Sequence, residues 1–108
     1  MDESRYRELA EAAFRQISDL FESVDPDACD CEIAGDVITL TFKNGIRGVI
    51  NTQRPSRQIW LAANARAWHF SYDEARGQWV DDKGGHVELF GEIARLVKEH
   101  AGLALPIP

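Results

Sequence analysis

The stretch Gly48-Val49-Ile50-Asn51-Thr52-Gln53-Arg54-Pro55-Ser56-Arg57-Gln58-Ile59-Trp60-Leu61-Ala62 decides how the rest of the chain is read. It holds two short runs of β-forming residues separated by a polar loop around Pro55. In the second run, Ile59 and Leu61 share one phase, and Gln58, Trp60 and Ala62 share the other. Successive side chains of a strand point to opposite faces, so one face is aliphatic and the other carries a tryptophan among amides. The aliphatic face is the candidate core. Asn51, Gln53, Gln58 and Trp60 then form an outer patch, with Arg54 and Arg57 nearby. An aromatic residue flanked by amides and guanidinium groups has the composition of a binding hot spot.

Working outward, the same period-two pattern recurs on both sides. Before the hairpin, Cys31 and Ile33 alternate with Asp30 and Glu32. Ile38, Leu40 and Phe42 alternate with Val37, Thr39 and Thr41. Gly35-Asp36 and Asn44-Gly45 supply turns between these runs. After the hairpin, Ala67–Tyr72 and Gly77–Asp81 read as a fifth and a sixth strand. Connections this short favour an antiparallel meander. Helical patterns flank the strands. Tyr6, Leu9, Ala10, Ala13, Phe14, Ile17, Leu20, Phe21 and Val24 recur at three- and four-residue steps, and Pro26 stops that run. Leu89, Phe90, Ile93, Leu96 and Val97 make a second apolar stripe within 87–101, with Gly102 placed to end it. Leu103, Leu105 and Ile107 are expected to pack back along the helices. The expected fold is α+β: a single antiparallel sheet of five to six strands, both terminal helices on one face, residues 1–108 forming a single domain.

The chain has 108 residues, 44% of them apolar and 28% charged, a composition ordinary for a soluble globular domain. No apolar run approaches a membrane span, and the N-terminus has neither a signal-peptide nor a transit-peptide pattern, so a cytoplasmic protein without a membrane partner is expected. The formal net charge is −6, unevenly spread. Residues 1–42 carry 11 acids and 3 bases, whereas residues 43–108 carry 7 acids and 9 bases. That asymmetry excludes a general nucleic-acid binder and favours a cationic partner for the N-terminal half.

The acids concentrate in Asp25-Pro26-Asp27-Ala28-Cys29-Asp30-Cys31-Glu32. Asp19 and Glu22, three apart on a helix, are surface neighbours, and Asp30 and Glu32, two apart on a strand, point to one side. Such pairs can share a hard cation with water completing its shell, but cannot enclose it. The blander reading of the same residues is a solvated acidic face. Two cysteines one residue apart are poor disulfide partners, and zinc wants four ligands that the sequence does not supply. Cys31 is expected in the core and Cys29 in a loop. No nucleophile–base pair or phosphate-cradling loop is found, and no catalytic residue is assigned. His86 and His100 read as helix-end residues.

The pattern "GVINTQRPSRQIWLA", followed by "HF" and "WVDDKGG", resembles the frataxin family, most closely its bacterial CyaY branch. The likeness runs over nearly the whole chain and includes the initial acidic helix and the Cys-Glu-Ile strand. It implies the same α+β sandwich. It also implies an accessory role in iron–sulfur cluster assembly, with Fe2+ or Fe3+ bound weakly and no organic cofactor. By position, the resemblance puts the iron-binding ridge at Asp19, Glu22, Asp25, Asp27, Asp30 and Glu32. It implies contacts with cysteine desulfurase and the cluster scaffold at Asn51, Gln53, Gln58, Trp60 and His69. Regulation of the desulfurase by docking, with iron incidental, is the alternative. A monomer is expected, with an iron-dependent oligomer as the other state. Two departures stand out. Ser18-Asp19 replaces the two adjacent acids of some relatives and, with Arg15, thins the ridge's negative field. Trp68 stands where a small residue is usual, and is expected to narrow or extend the sheet-side patch.

Overall fold

The decisive stretch forms a hairpin-like pair, β3 (Arg47–Gln53) and β4 (Gln58–Ala63), joined by a 3-10 turn over Arg54–Ser56. The computed structural model of the chain describes residues 1–106, so Ile107 lies outside the described residues. The register pairs Asn51 with Trp60 and Gln53 with Gln58. Around this pair lie β1 (Cys29–Ala34), β2 (Val37–Phe42), β5 (Arg66–Asp73) and β6 (Gln78–Asp81). The six strands run antiparallel in sequential order, β1 to β6, without a crossover. Helix α1 (Glu3–Phe21) precedes them and α2 (Leu89–Ala101) follows.

Both helices pack on one face of the sheet. Tyr6, Ile17 and Phe21 from α1, and Leu89, Ile93, Leu96 and Val97 from α2, meet Ile38, Leu40, Ile50, Ile59, Leu61 and Phe70 in one buried cluster. Ile59 and Leu61 are wholly buried, as their phase required. Each buried aliphatic side chain of this kind contributes about 1.5–3 kcal/mol. Tyr6 and Tyr72 meet the Trp79 ring edge-on at 6.1 and 5.4 Å. The tail follows the expectation where it is described: Leu105 is buried and Leu103 is partly so.

The helix ends differ in their electrostatics. The N-cap of α1 is Asp2, whose carboxylate accepts from the Arg5 amide at 2.7 Å. Its C-terminal turn has no base; Asp19 lies in it and Glu22 is the C-cap. In α2, Glu88 caps the N-terminus, Lys98 and His100 occupy the last turn, and Gly102 closes it at φ 70°. The helix dipole favours the acidic N-caps of both helices and the basic end of α2, and disfavours the acids at the end of α1.

Several local expectations are corrected. Helix α1 ends at Phe21, before Val24 and Pro26, because the chain bends through Glu22–Val24 with the Val24 amide on the Phe21 carbonyl. Helix α2 begins at Leu89, which leaves His86 in the preceding loop; His100 does lie at the helix end. Cys29 belongs to the core rather than to a loop: β1 begins there, because Cys29 pairs with Phe42. Cys31 shares its face but is only partly buried. Trp68 neither narrows nor extends the open face. It pairs with Leu61 and lies on the helix side, 8% exposed, with the Arg66 guanidinium 4.9 Å over its ring.

Candidate functional site: an acidic edge and an open sheet face

The six ridge carboxylates come from three consecutive pieces of chain. Asp19 and Glu22 sit at the C-terminal end of α1. Asp25 and Asp27 sit in the turn that follows, where the Asp25 carboxylate accepts from the Asp27 amide at 2.9 Å. Asp30 and Glu32 lie on β1, opposite Thr41 and Thr39. The strand's alternation turns them to the open face, because Cys29 and Cys31 take the helix side. The carboxylates therefore wrap around the β1 edge, some on the helix layer and some on the far face of the sheet.

All six are exposed. None of them forms a salt bridge, among the described residues, whereas Glu3, Asp73, Glu74, Asp82, Glu92 and Glu99 each do. The negative charge of the ridge thus meets water and the negative end of α1 and no fixed cation. No three His, Cys, Asp or Glu side chains are gathered closely enough to hold one metal ion, among the described residues. The donor set is hard, open and dispersed. It suits a hydrated cation held by one or two carboxylates at a time, and it does not make a cage. Arg15 lines a separate groove of about 710 Å³ beside Tyr6, Phe14 and Ile33.

Beneath the ridge, Cys29 and Cys31 point into the seam between β1 and the end of α1. Burial, and then the neighbouring Cys31 and Asp30, push the Cys29 thiol up to about 12; burial, and then Asp30, push Cys31 up to about 11. Both are thiols rather than thiolates near neutral pH, and neither is an activated nucleophile.

The open face is organised around Trp60. Its ring stacks on His69 at 4.2 Å and 18°. The indole N–H donates to Gln58 Oε1 at 2.9 Å. Gln58 Nε2 donates in turn to Asp82 Oδ2 and Ser71 Oγ, both at 3.1 Å. Asp82 Oδ2 lies 3.6 Å from His69 Nδ1, which closes a ring of four side chains. Trp60 is therefore half-buried and held in place rather than free. Asn51, opposite Trp60, keeps its Oδ1 buried without a hydrogen-bond partner among the described residues. Gln53, opposite Gln58, completes the patch beside the 3-10 turn. Asn51, Gln53, Gln58, Trp60 and His69 are thus brought together as one surface. Asp82 and Ser71 belong to it and were not foreseen. Asp82 is 24 residues from Gln58, and its place follows from the β5–β6 pairing and from its own amide donating to the His69 carbonyl at 2.9 Å.

The fold and these two surfaces define a two-layer α–β sandwich with an anionic edge and a preformed aromatic–amide patch on its bare sheet face. The model of the frataxin-like domain matches residues 1–103, and the chain belongs to that family. Its relatives include the iron–sulfur cluster assembly protein CyaY of Azotobacter vinelandii, 38% identical over all of this chain and 96% of that protein. The protein of the same name from Pseudomonas aeruginosa is 38% identical over all of this chain and 98% of its own length. Among solved structures, frataxin from Psychromonas ingrahamii, of the CyaY protein family, superposes with a TM-score of 0.86 at 27% identity, covering 97% of this chain and 96% of that one. Trimeric frataxin from the yeast Saccharomyces cerevisiae, in its ferrous complex, superposes with a TM-score of 0.67 at 26% identity, covering 95% of this chain and 88% of that one.

Proposed function

We propose that this protein is a cytoplasmic, non-enzymatic accessory of iron–sulfur cluster assembly that works as one domain over residues 1–108. It carries Fe2+ or Fe3+ as weakly held cargo on Asp19, Glu22, Asp25, Asp27, Asp30 and Glu32. It docks on cysteine desulfurase and the cluster scaffold through Asn51, Gln53, Gln58, Trp60 and His69. The names of its relatives support the pathway, and the ferrous complex of yeast frataxin supports the cargo. The observation that carries the reading is the ridge itself: six exposed carboxylates without an ion-pair partner, among the described residues, in a molecule that pairs many of its other acids. Unpaired like charges cost stability, and an arriving hard cation offsets that cost.

A second reading is favoured by the Trp60 patch. Its side chains are already held by hydrogen bonds and stacking, so docking there loses little conformational entropy. In that reading the protein regulates the desulfurase by contact. The ridge then serves to steer a basic partner, and iron competes with that partner for the same charges.

An anaerobic Fe2+ titration followed by backbone-amide NMR at physiological salt separates the two. Selective broadening along residues 19–32, with Asn51–Trp60 unaffected, is the result expected for cargo binding. No selective effect at millimolar iron overturns the cargo reading and leaves the docking one.

A further inference from the structure

The two cysteines play no part in the ridge or the sheet patch, yet they share a cavity. About 300 Å³ of space lies between the end of α1 and β1, with Phe21, Glu22, Val24, Cys29, Asp30 and Cys31 among the residues that line it. Both thiols are free. Both are on the helix-side face of β1, because Cys29 pairs with Phe42 and Cys31 with Leu40, two core residues. Side chains two apart on a strand stand about 6.8 Å apart at their Cα atoms. A disulfide prefers about 5.5–6 Å, so this spacing is at the outer limit for a direct sulfur–sulfur bond. It suits a single bridging atom instead. Two metal–sulfur bonds of about 2.3 Å in line separate the sulfurs by roughly 4.6 Å, a separation shorter than the Cα spacing of the pair.

We propose that Cys29 and Cys31 form a two-coordinate site for a soft monovalent cation, of which Cu(I) is the biological representative. The chemistry of the cavity selects it. Zinc requires four ligands, and no third His, Cys, Asp or Glu joins the pair among the described residues. Fe2+ and Fe3+ prefer hard oxygen donors. Of the two carboxylates on the lining, Asp30 turns its side chain to the open face and Glu22 is exposed, and neither gathers with the thiols into a group of three among the described residues. Thiolate ligands favour Cu(I), and the apolar side chains of Phe21 and Val24 line the pocket beside the pair. Glu22 at the rim adds a negative field that draws a cation inward. As the two copper–sulfur bonds form, the two S–H bonds break and both protons leave to solvent. No oxidation or reduction takes place. This site does not depend on the iron reading, and it places a soft cation site directly beneath a hard one.

The test is an anaerobic Cu(I) titration against a chromophoric chelator of known affinity, with X-ray absorption of the loaded wild-type protein. One Cu(I) per chain, two sulfur ligands, an unchanged monomer mass and a loss of about 100-fold in affinity on Cys29→Ala or Cys31→Ala are expected, the loss being that of the second tethered ligand. Three or more donors at the metal, one Cu(I) shared between two chains, or wild-type affinity in either single variant would overturn the site. Should Cys29→Ala fail to fold, Cys31→Ala, at the less buried position, and the wild-type absorption spectrum decide the question.

Discussion

Glu22 shows how a residue can be placed against its own stability. It caps the C-terminus of α1, where the helix dipole is negative, and Asp19 precedes it by one turn without a base in between. Neutralising either carboxylate removes an unfavourable interaction with the dipole and with the rest of the ridge. Glu22→Gln and Asp19→Asn are each expected to raise stability by about 0.3–1 kcal/mol at low ionic strength. The gain shrinks as salt is added, because these charges are exposed. Urea unfolding at two salt concentrations checks it, and unchanged or lowered stability in both variants would mean that the ridge carries no electrostatic cost. The sequence made these residues visible as a cluster. The alternation with Cys31 already turned Asp30 and Glu32 away from the helix layer that carries Asp19 and Glu22, so that split was legible; the residue at which β1 begins was not. Reading Cys29 as loop hid the start of the strand, and the proline at 26 made that reading natural.

At the scale of elements, the turns announced by glycine or proline were legible and the one with neither was not. Gly45 follows Asn44 and takes φ 89°, as its sequence signal implied. The β4–β5 turn is made instead by Asn64 and Ala65 at φ 50° and 64°. A left-handed alanine carries a Cβ clash worth about 1–2 kcal/mol, which glycine removes at some cost in unfolded-state entropy. Ala65→Gly is therefore expected to stabilise the protein by roughly 0.5–1 kcal/mol, the net of those two effects, read as a higher urea midpoint; a lower midpoint would mean that the turn relaxes the clash in another way. The loop between β6 and α2 is fastened by Asp81, whose carboxylate accepts from the Val87 amide at 2.6 Å and the Lys83 amide at 3.0 Å. The Val87 hydrogen bond is the main cause that holds its acid below the ordinary 3.8, against a smaller opposing effect of burial. A depressed carboxylate stabilises the fold above its unfolded-state value, and the contribution is lost as pH falls through the folded one. Wild type should thus lose stability below about pH 4 more steeply than Asp81→Asn, as followed by urea titrations across that range. Parallel acid curves would show that the latch depends on hydrogen bonding alone and not on charge.

At the scale of the whole molecule, alternation and turn chemistry sufficed for the architecture because every strand neighbours the next in sequence. Nothing depended on a long crossover, which a single sequence cannot locate. The open-face patch was legible as far as Trp60 and its phase partners. Its outer member, Asp82, was not, because the reach from Gln58 across β5 to the far side of Asp81 is a product of two registers together. Trp68 misled for a related reason: it was weighed by its position beside His69, whereas its own phase, shared with Phe70, commits it to the core.

The sequential order of the sheet also governs how the chain finds its fold. Each of the five strand pairings closes over a short connection, so the loop-closure entropy of building the sheet is paid in small instalments. The helices are different. They come from opposite ends of the chain, α1 from Glu3 and α2 ending at Ala101, and bury one face in common. The hairpins around Asn44-Gly45 and Pro55 can therefore assemble as local structure, while the enclosure of Ile38, Ile50 and Leu61 waits for both chain ends to arrive. The surfaces that face outward, with the Trp60 ring on one side and the β1 carboxylates at the edge, take shape with the strands and do not need the finished core to be drawn.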